Sequence, residues 1–187
     1  KVYDGNTSVT LSHAASGMVS GDSVTFSGTG TFSNKHVGAN KVVAITGLTA
    51  GGPDGSNYTL ASTASSSANI TTKAVTVSGL TATNKVYDGT TVATVNHVGA
   101  LFTGQISGDV LTAAGSTGTF ATKQVGTGKT VTLSGTTYGG ADAGNYTFTD
   151  QASTTADITA KGVTVYGLTT ANKVYDGTTA ATVNHGG

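Results

Sequence analysis

The sequence predicts an all-β protein made of tandem antiparallel β-sandwich domains, Ig-like in type and arranged end to end. A five-residue motif, Lys-Val-Tyr-Asp-Gly, occurs at residues 1–5, 85–89 and 173–177, which indicates tandem repeats. Apolar residues alternate with polar ones along short segments separated by Gly, Asn and Asp, as in the strands of a sandwich. All 9 acidic residues are Asp and all 9 basic residues are Lys, so the helix formers Glu and Arg are absent.

The repeated motif predicts a tight turn near the start of each domain. Asp-Gly after a short β-prone segment favours a two-residue hairpin with a type I′ turn, because both central positions of that turn need positive φ. The tyrosine ring is expected to pack beside the turn. The residues assigned to these structural turns are Tyr3, Asp4, Gly5, Tyr87, Asp88, Gly89, Tyr175, Asp176 and Gly177.

Alignment of the repeats divides the chain into three parts. We assign residues 1–72 to a first unit that lacks its opening strand, 73–160 to a second unit, and 161–187 to the start of a third. The alternative is to cut the chain at each Lys-Val-Tyr-Asp-Gly motif. Neither division leaves a flexible linker, so neighbouring units are expected to abut stiffly. The units differ in length mainly near Ala14 to Val19 and Val98 to Ile106, which indicates surface loops.

Period-two alternation predicts the individual strands. Val75, Val77 and Leu80 are expected on one face of a strand, and Val163, Val165 and Leu168 repeat that pattern. Phe120 is expected to start a strand, and one short helical turn is expected around Ala14 to Val19 or Ala100 to Phe102. Val92 and Val95 are assigned to the strand that follows the Asp-Gly turn, and the further alternating positions are Val131, Leu133, Tyr146, Phe148, Ala156 and Ile158.

Composition excludes several classes of function. The formal net charge is zero, which argues against nucleic-acid binding and against a polybasic membrane contact. Cysteine is absent, so disulfides and thiolate metal sites are excluded. No apolar run approaches the length of a membrane span, and no signal peptide is visible. Because the chain opens directly on the motif, we expect it to be part of a longer protein.

Catalytic and metal-binding patterns are weak. The chain has no Gly-x-Ser-x-Gly elbow, and its Asp residues stand mostly beside Gly or Asn, as turn residues do, so we expect no enzyme activity and no cofactor. The best calcium candidates are Asp88 and Asp142, because oxygen-rich loops at domain junctions can hold this ion. The other residues weighed for metal binding are Asp54, Asp150, Asp176, His13, His36, His97 and His185.

Two further side-chain chemistries were weighed against simpler interpretations. Lys85, Asn145 and Asp88 have the chemistry of a Lys–Asn isopeptide crosslink beside an acid, but an exposed lysine and a turn asparagine explain the same residues. A threonine-rich face could bind ice or sugar, but threonine also decorates solvated strand faces, and the chain lacks the tryptophans typical of sugar platforms. The residues of that face are Thr130, Thr132, Ser134 and Thr136.

Three runs of residues resemble the YDG repeat domains of large bacterial surface proteins related to filamentous-haemagglutinin-like adhesins. They are Lys-Val-Tyr-Asp-Gly-Thr-Thr at 85–91, Gly-Ala-Asp-Ala-Gly-Asn-Tyr-Thr at 140–147 and Ile-Thr-Ala-Lys at 158–161. The first unit differs by Asn6 in place of Thr and by turn variants at 52–59. The resemblance implies extracellular adhesin stalks in tandem arrays and implies no catalytic residues.

The expected function is therefore structural. We expect a stalk or spacer region of a large secreted bacterial surface adhesin, which holds an adhesive tip away from the cell in adhesion and biofilm formation. The alternative is a module that recognises a glycan or a host or matrix protein through the variable loops at 14–19 and 98–106. The expected partners are neighbouring repeats of the same chain, with no nucleic acid and no membrane insertion, and the expected location is the bacterial cell surface.

Overall fold

The computed structural model describes residues 1–61 and 65–184, and it confirms that the protein is all-β. The strands are short apart from β2, β3, β13 and β16. In chain order they are β1 (Ser8–Val9), β2 (Thr25–Phe32), β3 (Gly38–Gly51), β4 (Ser65–Ile70), β5 (Lys73–Ser78), β6 (Thr81–Ala82), β7 (Lys85–Val86), β8 (Val92–Ala93), β9 (Val95–Asn96), β10 (Leu101–Thr103), β11 (Thr112–Ala114), β12 (Thr117–Phe120), β13 (Gly126–Ser134), β14 (Thr137–Gly139), β15 (Tyr146–Thr149), β16 (Ser153–Thr159), β17 (Thr169–Thr170) and β18 (Val183–Asn184).

Helical structure in the described residues is limited to two 3-10 turns, at Gly55–Asn57 and Ala143–Asn145. Each follows an aspartate and consists of small or turn-forming residues. The expected helical turn around Ala14 to Val19 or Ala100 to Phe102 is wrong. The second segment instead contributes β10, because its backbone pairs with β5. No helix in the described ranges is both long and apolar enough to cross a membrane.

The first unit contains one sheet of four strands, in the order β1-β2-β3-β4. The second unit contains a five-stranded sheet, β7-β16-β13-β12-β8, and a three-stranded sheet, β10-β5-β15. Two-stranded pairs complete the described sheets: β11-β14 and β6-β9 in the second unit, and β17-β18 beyond it. The chain therefore passes from the sheet of the first unit to a sheet of the second across the residues between β4 and β5.

Most strand pairs are antiparallel, but the prediction of purely antiparallel sheets is wrong. β15 pairs with β5 in parallel, and so does β16 with β7. In the first unit, a parallel bridge between Val2 and Thr71 corresponds to the pairing of β16 with β7 in the second unit. In both cases the last strand of a unit runs beside one of its first strands in the same direction. Long-range pairing of this kind leaves no signal in local alternation.

The predicted alternation places the core residues correctly in the second unit. Val75, Val77 and Leu80 are buried, whereas Thr76 between them is exposed. Phe120 is also buried, but it ends β12 and does not start a strand. The core of this unit consists of Leu80, Ala93, Phe120, Val131, Leu133, Ala156 and Ile158. The matching residues of the third part are exposed, and the pattern is not realised there: Val163, Val165 and Leu168.

The predicted Asp-Gly hairpin is wrong. Val86, before the turn, lies on β7, and Val92, after it, lies on β8, at opposite edges of the five-stranded sheet. Gly89 does have positive φ, at 83°, but Asp88 does not, so the turn is not type I′. The chain crosses the end of the sheet between its two edges because β7 finds its partner in β16 and β8 finds its partner in β12.

Candidate functional site at the junction of the repeat units

The lysine of the repeated motif closes the turn that follows it. Lys85 Nζ lies 2.9 Å from Asp88 Oδ1 and 3.0 Å from the Thr90 carbonyl oxygen, to both of which it donates. Asp88 Oδ1 also accepts a hydrogen bond of 2.8 Å from the Thr90 backbone N–H, which makes an Asx turn. These contacts with Lys85 and Thr90 lower the pKa of Asp88 to about 2.

Both other copies of the motif contain the same ion pair. Lys1 Nζ lies 2.6 Å from Asp4 Oδ1, and Lys173 Nζ lies 2.7 Å from Asp176 Oδ1. The motif is therefore a local turn-closing unit that forms in all three places. Its tyrosine is not part of this local network, and its surroundings differ from one copy to the next.

Tyr3 reaches out of the first unit to a carboxylate of the second. Its hydroxyl donates a hydrogen bond of 2.7 Å to Asp109 Oδ2, and the Tyr146 hydroxyl donates one of 2.6 Å to the same oxygen. The two rings meet edge to face with their centroids 5.4 Å apart. Tyr3, Asp109 and Tyr146 are all buried. A buried carboxylate is costly unless it is paired and hydrogen-bonded, and here both conditions are met.

The positive charge of the site comes from Lys35 of the first unit. Lys35 Nζ lies 2.9 Å from Asp109 Oδ1 and 3.2 Å from Asp142 Oδ1, so one ammonium spans two aspartates of the second unit. The hydrogen bond to Asp109, followed by those to Tyr3 and Asp142, raises the pKa of Lys35 above its usual value. Asp142 is itself held in place, because its Oδ2 accepts a hydrogen bond of 3.0 Å from the Val110 backbone N–H.

The network changes the titration of its members. Burial alone would raise the pKa of Asp109, but the hydrogen bonds from Tyr146, Lys35 and Tyr3 outweigh it, and the pKa lies below its usual value. Burial, together with the hydrogen bond to Asp109, raises the pKa of Tyr146 to about 12. At neutral pH the carboxylate is therefore ionised and the tyrosines are protonated, which is the combination that these hydrogen bonds require.

A second polar contact crosses the junction beside the first. Asn145 Oδ1 accepts a hydrogen bond of 3.1 Å from the Val37 backbone N–H, and Asn145 Nδ2 lies 3.4 Å from His36 Nδ1. Asn145 does lie in a turn, the 3-10 turn Ala143–Asn145, but it is buried and also makes contacts across the junction. It is also not paired with Lys85, whose ammonium is bound to the Asp88 turn and lies 5.5 Å from the centre of the Phe120 ring.

An apolar layer surrounds these polar contacts and includes side chains from both units. Six buried residues form it: Tyr3, Phe32, Val43, Ile70, Val75 and Tyr146. Ile106 packs against this layer at the place where Gly5 approaches. A Cβ atom on Gly5 would lie 2.9 Å from Ile106 Cγ2, so the turn of the first unit fits closely against the second unit. The two units thus share one core at their junction.

The calcium candidates do not come together in this structure. Asp88 is bound to Lys85 and Asp142 to Lys35, so a lysine already neutralises each carboxylate. Within 1–61 and 65–184, no three His, Asp, Glu or Cys side chains gather as a set that could hold a metal ion. His97 Nε2 accepts a hydrogen bond of 3.2 Å from the Ser116 backbone N–H, and the His13 ring packs edge-on against Phe26. His185 lies outside the described residues.

Sequence reasoning missed the residues that meet at the junction. Asp109 and Lys35 were not singled out at all, and Tyr146 was considered only as a strand position; their counterparts in the other unit are Asp22, Lys123 and Tyr58. The usable signal was that both units carry the same ionisable residues at matching positions. That signal did not indicate that the tyrosine and lysine of one unit contact the aspartate of the next.

Residues 1–66 and 71–156 match the YDG domain, in two copies that cover most of the chain. No curated protein and no solved structure matches the chain. The matched residues contain the motif tyrosine, the junction aspartates and Lys35, so the junction lies between two copies of one domain type. The chain therefore belongs to the YDG domain family.

Proposed function

We propose that this chain is a structural stalk, a run of repeat units in a large secreted surface adhesin of the filamentous-haemagglutinin-like kind. In that role it would hold an adhesive tip away from a bacterial cell. The observation that carries the proposal is the junction, where Tyr3 and Lys35 of one unit bind the buried Asp109 of the next. In a stalk, each unit must keep a fixed orientation relative to its neighbour. A shared core with a fixed hydrogen-bond network restricts that orientation more than a flexible linker does.

The spacing between the units supports a stiff connection. β4 ends at Ile70 and β5 begins at Lys73, and both elements contribute buried side chains to the junction layer. A flexible linker of several Gly and Ser residues would let the units rotate, but here only Thr71 and Thr72 intervene. Thr72 is itself tied to the second unit, since its hydroxyl lies 2.7 Å from that of Thr147.

We further propose that each complete unit is an Ig-like sandwich and that the domain boundary lies at Lys73. Two sheets in the second unit, β7-β16-β13-β12-β8 and β10-β5-β15, would form its two layers. β5 pairs with β10 and β15, both of which lie in the second unit, which favours a division before β5 over a division at Lys85. The third part, 161–187, would then begin the next unit.

The variable loops give less support to the ligand-binding alternative. In the second unit, the stretch from Val98 to Ile106 includes β10 and ends at a residue that packs on the junction layer. The Ile106 backbone N–H also donates a hydrogen bond of 3.0 Å to the Tyr146 hydroxyl. The end of this stretch at Ile106 is therefore engaged by contacts within the chain, which favours a part in the connection between units over a part in ligand binding.

Small-angle scattering at a concentration where the chain is a single molecule tests the proposal. A compact globule of 187 residues has a radius of gyration of about 16 Å. Units joined end to end should give a clearly larger radius and a long maximum dimension, because the junction holds them apart. A radius close to that of the globule would overturn the stalk function.

The variant Asp109→Ala tests whether the junction provides the stiffness. It removes the carboxylate shared by Tyr3, Lys35 and Tyr146, so we expect a broader distribution of dimensions than in the unaltered chain. The matched control is Asp22→Ala, which changes the same repeat position in the first unit. Equal scattering curves for the two variants would contradict the role assigned to Asp109.

A further inference from the structure

One ammonium at the junction lies between two carboxylates of the next unit. Lys35 Nζ is 2.9 Å from Asp109 Oδ1 and 3.2 Å from Asp142 Oδ1. The side chain of Asp109 is 3% exposed and that of Asp142 is 12% exposed, so both carboxylates are largely shielded from water. Two negative charges share one positive charge here, and like charges so close together raise the free energy of the site. A reaction that removes one of the carboxylates relieves that repulsion.

The two carboxylates differ in what binds their second oxygen. Asp109 Oδ2 accepts hydrogen bonds from the hydroxyls of Tyr146 and Tyr3, which stabilise its ionised form. Asp142 Oδ2 accepts a hydrogen bond of 3.0 Å from the Val110 backbone N–H. A backbone N–H in that place polarises the carboxyl group and stabilises the negative charge that develops on the oxygen when the carbon is attacked. Asp109 is therefore suited to accept a proton, and Asp142 is suited to be attacked.

The lysine of the repeated motif provides a comparison. Lys85 Nζ also lies 2.9 Å from a carboxylate oxygen, that of Asp88, but the Asp88 side chain is 51% exposed. The other contacts of this ammonium are with the carbonyl and hydroxyl oxygens of Thr90 and with the carbonyl oxygen of Val92. Such neutral oxygens do not take a proton from an ammonium at neutral pH. Lys35 thus differs from Lys85 in having a second carboxylate and in having shielded carboxylate partners.

We propose that Lys35 and Asp142 condense to an amide that joins the two units covalently. A proton passes from Nζ to Asp142 Oδ1, and the free amine then attacks Asp142 Cγ, so that an electron pair of the carbonyl bond moves to Oδ2. The nitrogen gives a second proton to Asp109, which passes it to Oδ1 of Asp142. The bond from Cγ to Oδ1 breaks and one water leaves. The net charge is unchanged, and Asp109 ends as the carboxylate that it was at the start.

The fixed positions of the two groups make the condensation possible without an enzyme. Groups held in a reactive arrangement gain effective molarities of roughly 10⁵–10⁸ M, which offsets the competition from water. The resting pair is ionic, since hydrogen bonds to Asp109, Tyr3 and Asp142 raise the pKa of Lys35. The reaction is therefore slow, but each chain needs to react only once. The remaining N–H of the amide is a donor for Asp109. The bond does not depend on the stalk function.

The intact mass of the chain, measured under denaturing conditions after folding, tests the proposal. The unaltered chain should become lighter by one water after it folds, and a chain kept unfolded in urea should keep its full mass. Lys35→Arg preserves the positive charge but offers no amine that condenses, so it should also keep its full mass. The matched control Lys123→Arg alters the equivalent lysine of the second unit and should lose water like the unaltered chain. A folded, unaltered chain that keeps its full mass would overturn the proposal.

Proteolysis followed by fragment mass spectrometry locates the bond. The peptide that contains Lys35 should be joined to the peptide that contains Asp142. Asp142→Ala should keep its full mass, whereas Asp54→Ala, at the equivalent position of the first unit, should lose water. Cyclisation at an Asp-Gly pair also removes one water, but that loss would persist in Lys35→Arg and would count against the proposal. A bond from Lys35 to Asp109 would overturn the assignment of Asp142.

The variant Asp109→Asn tests the proton acceptor. It keeps both reacting groups but removes the carboxylate that relays the second proton. The loss of water should slow by roughly 10²-fold or more, the lower end of what positioned proton transfer contributes. Dilution from urea starts the reaction, and masses of samples taken over time give its rate. Asp22→Asn is the matched control and should react like the unaltered chain. Equal rates for the two variants would overturn the role of Asp109.

Discussion

The junction within this chain and the uncovered copies of the same residues show what a neighbouring unit contributes. Tyr3 and Tyr87 belong to identical five-residue motifs, and in both the lysine forms the same ion pair with the aspartate of the turn. Tyr3 is 1% exposed because Asp109 and Tyr146 of the next unit cover it, whereas Tyr87 is only half-buried at the edge of its own core. The turn therefore forms locally, and the burial of its tyrosine comes from outside the unit. A motif of this kind has two parts, one that folds the unit and one that joins it to the next.

The same contrast holds for the strand that opens a unit. β5 and the segment from Lys161 to Leu168 have nearly the same sequence, but one is the centre of a sheet and the other is exposed. The period-two pattern is present in both. What differs is the presence of neighbouring strands on either side, which supply the backbone partners and cover the apolar face.

The largest expected effect is the difference in stability between two variants, one with aspartate in place of a valine of the paired strand β5 and one with the same change at the equivalent valine of the exposed segment. Val75→Asp should destabilise the second unit by on the order of 4–5 kcal/mol, because it places an unpaired charge in the junction layer. Val163→Asp should change the free energy of unfolding by only about 0.5 kcal/mol or less, as is usual for an exposed position. Chemical denaturation of the dilute, monomeric chain measures both. Similar losses of stability would show that the exposed segment is packed in solution.

The outcome for the strands shows how far the sequence alone leads. Alternation identified Val75, Val77, Val131 and Leu133 as core residues because burial on one face is a local property of the pattern. The hairpin at Asp88-Gly89 failed because turn residues report backbone dihedrals, not which strands pair. Gly89 needs positive φ whether the chain reverses into a hairpin or crosses the end of a sheet, and only the pairing with β16 and β12 decides between them.

The junction could not be predicted for a related reason. Lys35 and Asp109 are 74 residues apart in the sequence, and each has a counterpart in the other unit, Lys123 and Asp22. From the sequence alone, a lysine and an aspartate at matching repeat positions could equally pair inside one unit. The pairing across the unit boundary follows from the direction in which the second unit continues from β4, which is a property of the assembled fold.

The next effect concerns acid, which should weaken the junction through Asp109. Its pKa in the folded chain is lowered from 3.8, so the hydrogen bonds to its ionised form stabilise the fold above that pH. This contribution is lost as the pH falls below 3.8 through the lower folded-state value. Replacing the carboxylate by Asp109→Asn should already lose about 1.5–3 kcal/mol at neutral pH, the range for hydrogen bonds to a charged group.

Urea denaturation between pH 2 and pH 7 gives the free energy of unfolding at each pH. The slope of this free energy against pH corresponds to at most about one bound proton more in the unfolded chain for each carboxylate with a lowered pKa. The unaltered chain also contains exposed turn aspartates such as Asp88, whose pKa is lowered to about 2 and whose titration adds to the slope. The difference between the unaltered chain and Asp109→Asn isolates the junction, and Asp22→Asn is the matched control. If Asp109→Asn keeps the full acid slope, the junction carboxylate is not the group that titrates.

The smallest expected effect is the difference between equivalent variants of two motif glycines, and it separates the local part of the motif from the joining part. Gly5 and Gly89 have almost the same φ, 79° and 83°, so valine at either position should cost about 1–3 kcal/mol of backbone strain. A Cβ atom on Gly89 would meet nothing within 4 Å, whereas one on Gly5 would lie 2.9 Å from Ile106 Cγ2 of the next unit. Gly5→Val should therefore cost about 1 kcal/mol more than Gly89→Val, since it also overpacks the junction. Thermal melting of the two variants measures the difference, and the double variant Gly5→Val/Ile106→Ala should recover part of it. Equal melting temperatures for Gly5→Val and Gly89→Val would mean that the first turn does not press against Ile106, and that the units are less closely joined than the Tyr3–Asp109 hydrogen bond indicates.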